Sequence, residues 1–163
     1  MSSPSDEPML SVLRETLQLA ESLHASLERE QQALYDNDLE SIEQIAAAKA
    51  ELAASIEALE RRRAELVSQA GFPTHANGMA AYLGHLEQGP EGTRTVTAQW
   101  QTLQGVLRQC DRQNQINGIM LEKNRRRAEA LLRLLRGDAD APQLYSEAGK
   151  AVSDKRGQHL AQA

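Results

Sequence analysis

Three long stretches of the chain carry seam residues whose spacing alternates between three and four without a slip. The first runs Leu10, Leu13, Leu17, Ala20, His24, Leu27, Gln31, Leu34. The second runs Leu39, Ile42, Ile45, Lys49, Leu52, Ile56, Leu59, Arg63, Leu66. The third runs Val96, Trp100, Leu103, Leu107, Cys110, Asn114, Asn117, Leu121, Asn124, Ala128, Leu131, Leu135. Such spacing draws one stripe down one side of an α-helix and suits helices that face other helices. Composition points the same way. Aromatics are 3% of 163 residues, too few for an ordinary β-sandwich core. Leu, Ala, Glu, Gln and Arg, which lose little on entering a helix, dominate instead. The chain is therefore expected to be all-α, an antiparallel bundle of three long helices with coiled-coil-like packing.

Punctuation between the stripes sets the boundaries. Ser5, Asp6, Glu7 and Pro8 suit a helix start, so the first helix is expected over about 7–34. Tyr35-Asp-Asn-Asp38 is a turn, and Asp36, Asn37 or Asp38 caps a second helix over about 38–70. Gly71-Phe72-Pro73 stops it. The short connection makes these two an antiparallel hairpin. A Gly- and Pro-rich linker, 71–90, follows. Within it Met79, Tyr82, Leu83 and Leu86 would share one face of a short helix. The third long helix is expected over about 91–136, on the order of 60 Å against roughly 40–47 Å for the others. Residues 137–163 contain Gly149, Gly157 and few apolar side chains, so a mobile tail is expected after the bundle domain 1–136.

Charge narrows the function. The net charge is −5, which opposes a general nucleic-acid binder. Residues 1–69 carry 14 acids and 6 bases, while 91–136 carry 4 acids and 9 bases. The acidic hairpin and the basic third helix should attract each other. Arg125-Arg126-Arg127, with Lys123, Arg133 and Arg136, reads as a solvated helix end rather than a patch for RNA, phosphate or an acidic partner, and Arg61-Arg62-Arg63 reads the same way. No apolar run is long enough to span a bilayer, and the N-terminus lacks the pattern of a secretory signal, so a cytoplasmic protein is expected.

Chemistry is sparse. Cys110 stands alone, which rules out a disulfide framework and a CxxC metal site. His24, His75, His85 and His159 lie in no HExxH or ExxH pair, and there is no phosphate loop or nucleophile elbow. No catalytic residue, metal or cofactor is expected. Asn114, Asn117 and Asn124 interrupt the third stripe; amides there could hold a ligand, but the favoured expectation is that they fix register or face a wet part of the bundle. Gly118 beside them would admit a close backbone neighbour. In the tail, Leu144, Tyr145, Ala148 and Val152 would share a face if helical. That segment is either a plain disordered end or one that folds onto a partner's groove. Three long seams either close on one another or leave a stripe for a second copy.

Several stretches together resemble the FlgN family of flagellar type III export chaperones. They are the acidic hairpin from Glu28 through Phe72, then NQINGIMLEKNRRRAEALLRLL, then LYSEAGK. Glu28, Asp36 to Asp38 and Lys49 match the hairpin, Asn114, Asn117 and Gly118 match an N-x-x-N-G stretch, and Tyr145 with Gly149 matches the tail. Ser146 departs from the small residue or Gly that commonly follows that Tyr. The resemblance implies a cytoplasmic chaperone for hook-associated proteins of the hook-filament junction. It would bind their C-terminal regions, mask their polymerisation-prone terminal helices and deliver them to the membrane export gate. It also implies that Tyr145 docks at the gate component. Leu144, Ala148, Gly149 and Val152 join it as partner-binding candidates. The competing expectation is a coiled-coil adaptor with no export role; a di-metal helical enzyme is opposed by the missing ligand pairs.

Overall fold

A computed structural model describes residues 7–75, 77–88 and 93–136. Every regular element among them is a helix: α1 (Glu7–Asp36), α2 (Leu39–Gln69), α3 (Gly78–Glu87) and α4 (Thr93–Arg136). Two compact units divide the chain at residues 125 and 126. The first holds α1, α2, α3 and most of α4. Of the second, residues 126–136 are described.

The turn between α1 and α2 is two residues long. Asn37 takes φ of 54°, a left-handed conformation that Asn tolerates better than most side chains. The Asp38 N–H then donates back to the Ala33 carbonyl at 3.0 Å, closing α1. Asp38 also starts α2. Its carboxylate accepts from the Ser41 N–H at 3.1 Å and the Ser41 hydroxyl at 2.6 Å. Those bonds, the hydroxyl's first, hold its carboxyl below the usual range. At the far end Gly71, with φ of 87°, lets the Phe72 N–H reach the Val67 carbonyl and the Gly71 N–H reach Ser68. This Schellman closure turns Phe72 back over the core.

The apolar core gathers at the end of the first unit where α1 begins and α2 finishes. Met9, Leu10, Leu13 and Ala20 of α1 meet Val67 of α2 and Val96 and Leu103 of α4. α3 closes this end with Met79, Tyr82 and Leu83, while Phe72 meets the Tyr82 ring edge-on at 5.8 Å. Such aromatic pairs add on the order of 1 kcal/mol beyond the area they bury.

The seams need amendment in places. Leu39 opens the second seam in sequence but is 73% exposed, because it lies on the first turn of α2 beside the hairpin bend. Val67, outside that seam, is among the most buried residues and Leu66 only partly so. The third seam is buried at Val96, Leu103, Cys110 and Asn117, yet Leu121, Leu131 and Leu135 are exposed. Gly118 has no neighbour within 4 Å of where a Cβ would stand, so no backbone approaches it.

Several ion pairs among the described residues are local. The hairpin's resolved ion pairs close inside the hairpin. Arg61, Arg62 and Arg63 bind Glu57, Glu65 and Glu60 on their own helix. Local i,i+3 and i,i+4 partners lie within reach without ordering a second element. Arg63 additionally covers the Trp100 ring at 4.9 Å, tying α2 to α4 by its cation rather than by an acid.

Candidate functional site

α4 meets α1 through side chains that donate to backbone. The Cys110 thiol reaches the Ala20 carbonyl at 3.4 Å, Asn117 Nδ2 reaches Leu27 at 2.8 Å, and Asn124 Nδ2 reaches Leu34 at 3.0 Å. The offset between partners is 90 residues each time. A constant offset means parallel helices in fixed register, and the seven-residue step is a heptad. A carbonyl has two lone pairs, so Ala20 and Leu27, inside α1, can accept these bonds beside their helical ones. Leu34 lies in the last turn, where the Asp38 N–H goes to Ala33 instead, so Asn124 supplies a donor to a carbonyl at the helix end.

The middle rung is the centre of a polar cluster that joins three helices. Asn117, 3% exposed, also donates from Nδ2 to Glu30 Oε2 at 2.8 Å, while its Oδ1 accepts from Gln113 Nε2 at 3.1 Å. Glu30 in turn accepts from Lys49 Nζ at 2.9 and 2.8 Å. Lys49 also reaches Asn114 Oδ1 at 3.4 Å. Glu30 and Lys49 side chains are 13% and 21% exposed, so the pair is screened less than a surface pair. Breaking such a pair strands a charge, which is why the cluster fixes alignment more than it adds stability.

Of the sequence candidates, Asn117 and Asn124 lie at the α1 interface. Asn114 is exposed and meets α2 at Lys49. It falls two heptads beyond Trp100, whose ring Arg63 of α2 covers. Glu28, the acid matched by resemblance, lies 3.9 Å from His24 and not beside Lys49. The acid that meets Lys49 is Glu30, which sequence reasoning passed over. A signal existed. Counting back from the Asn37–Asp38 turn places Lys49 opposite residues about 26–30, and Glu30 is the acid there on the inner side. The tail candidates Leu144, Tyr145, Ala148, Gly149 and Val152 lie outside the described residues.

The arrangement offers binding and alignment. Burial pushes the Cys110 thiol up, so it stays protonated and unreactive. Among the described residues, no group of three His, Cys, Asp or Glu side chains could hold a metal, and no helix is long and apolar enough to cross a membrane. A shallow groove between α1 and α2 is lined by Ser22, Ala25, Ser26, Arg29, Leu52 and Ser55, among others.

The sequence matches the model of one protein family, FlgN protein, over residues 1–153. The chain belongs to the FlgN family. A crystal structure from Pseudomonas aeruginosa, described as a candidate flagella synthesis protein FlgN, is similar to this chain. The two share 26% identity over 74% of this chain and 89% of that one, with a TM-score of 0.62. No curated protein matches. FlgN is a family of flagellar chaperones rather than of enzymes, and the matched span contains the hairpin, the three rungs and the Glu30 cluster.

Proposed function

We propose that this FlgN chain is a cytoplasmic chaperone of flagellar type III export. It binds the C-terminal regions of hook-associated junction proteins, masks their polymerisation-prone terminal helices and hands them to the export gate at the membrane. The observation that carries this reading is the family match, which runs from residue 1 to 153 and so includes Tyr145 and Gly149. In this reading the three long helices act as one antiparallel bundle with coiled-coil-like packing, a stiff body whose alignment the Glu30–Lys49–Asn117 cluster fixes. Residues 137–163 form the grasping segment. Leu144, Ala148 and Val152 would share one face with Tyr145 if helical on a partner, and Tyr145 serves docking at the gate. Coupled ordering lowers affinity for a given interface, which suits a cargo that must be released. The work is masking and delivery, without covalent chemistry.

The test compares the full chain with a deletion of 140–163 and with Tyr145→Ala. Circular dichroism should give a folded helical protein and equal melting for all three. Titration calorimetry against a purified junction-protein C-terminal region should show binding to the full chain that the deletion loses. Tyr145→Ala should retain cargo binding yet reduce secretion of junction proteins from cells. A deletion that binds cargo like the full chain, or one that unfolds, removes the tail from this role.

A further inference from the structure

The described part of the second unit reads RRAEALLRLLR, residues 126–136, and is helical throughout. At about 100° per residue, Leu134, Leu131, Leu135, Ala128 and Leu132 fall within one arc of about 160°. The other arc holds Arg126, Arg133, Arg136, Glu129 and Ala130, and Arg127 lies among the leucines near one edge. All four leucines are exposed, from 49% at Leu132 to 83% at Leu135. Four arginines against one glutamate give this stretch a charge of +3 in a chain of −5. Among the described residues Arg127, Arg133 and Arg136 make no ion pair.

We propose that residues 126–136 form an interfacial helix that lays its leucines into the surface of an anionic phospholipid bilayer while its arginines hold the headgroup phosphates. Charge complementarity selects this occupant. A helix with leucine on one face and arginine on the other, flanking at the edges, matches the pattern of helices that lie in the plane of a charged membrane surface. Long arginine stems let the guanidinium groups rise to the headgroups while the backbone sinks. A protein partner would call for different chemistry. Protein interfaces are anchored by Trp, Tyr, Phe and Met, and leucine is under-represented at their energetic centres. This face has no aromatic residue and no Met, and it is the ridge of one helix rather than a groove. The proposal goes beyond the chaperone reading and does not depend on cargo: it gives the chain its own weak, reversible affinity for the membrane face.

Vesicle flotation with the full chain tests it. The chain should float with vesicles of phosphatidylglycerol and phosphatidylethanolamine, remain unbound with phosphatidylcholine alone, and release as salt is raised. Leu131→Glu with Leu135→Glu should abolish flotation with unchanged helix content, both side chains being exposed already. Arg133→Glu with Arg136→Glu should lower partitioning by about tenfold or more, each arginine near an anionic surface contributing on the order of a fivefold factor. Equal partitioning into neutral vesicles overturns the proposal, as does no flotation or an undiminished leucine variant. So does a full chain that ignores vesicles but doubles its mass in light scattering, with the leucine variant monomeric: a second copy then covers the face. A leucine variant that loses junction-protein binding, in a chain that ignores vesicles, assigns the face to cargo instead. No arm of the flotation itself contains cargo, so its failure leaves the reading of the tail standing.

Discussion

Asn117 binds two different things with one amide nitrogen, the Leu27 carbonyl and the Glu30 carboxylate. An apolar residue at this position would pack against α1 equally well and would leave the Glu30 carboxylate short of a donor. That shortage is costly because Glu30 is mostly buried. Asn117→Ala should lower unfolding free energy by about 1–3 kcal/mol, the usual cost of leaving a buried polar group unpaired. Asn114→Ala should stay within about 0.5 kcal/mol, since that side chain is exposed and its one long bond is replaceable by water. Chemical denaturation of both variants measures the contrast, and equal losses would refute the division of labour between them. The sequence shows that amides interrupt the stripe. It does not show which amide is inside, because two rows, one facing α1 and one facing α2, alternate along a single seam.

Element boundaries were the most legible part of this chain, since each is set by a local backbone requirement. Gly71 announces itself by residue type, and the run Asp36-Asn37-Asp38 offers three caps of which Asp38 is the one used; the structure gives Asp38 a side-chain cap and Gly71 a positive φ. The linker helix was readable from four apolar residues, three of which are buried against the core and the fourth packed partly against it. What could not be read was how the chain enters α3. Gly78 lies so close to the Pro73 carbonyl that a Cβ would overlap it, whereas Gly84, in the same helix, faces open space. The two glycines should therefore respond oppositely to the same substitution. Gly78→Ala must displace the loop or α3 and lower the melting temperature. Gly84→Ala should raise stability by about 0.5–1 kcal/mol through helix propensity alone. Thermal melts of the pair decide it: a harmless Gly78→Ala would mean that α3 docks with more freedom than this contact allows.

Across the molecule the seams keep one spacing in sequence, but the interior they build is uneven. Around Leu10, Leu13, Val67, Val96 and Leu103 the first unit is apolar and closed by α3. Further along α4 the same stripe carries Cys110, Asn117 and Asn124, and α1 and α2 meet it through Glu30, Lys49 and backbone carbonyls. Apolar burial is worth roughly 25 cal/mol per Å², while a hydrogen bond exchanged with water nets only about 1 kcal/mol, so the polar part is specific in register but weaker in cohesion. Opening should begin there and spread toward the apolar end. Hydrogen exchange along one continuous helix measures this directly. Amides of 99–110 should exchange near the global unfolding free energy, those of 114–125 sooner, because local opening follows the density of buried apolar contacts. The register bonds make the opposite outcome informative. If 114–125 were as protected as 99–110, the Glu30–Lys49–Asn117 cluster would be a second cooperative centre. Asn117→Ala would then have to expose the whole first unit to exchange rather than only its polar half.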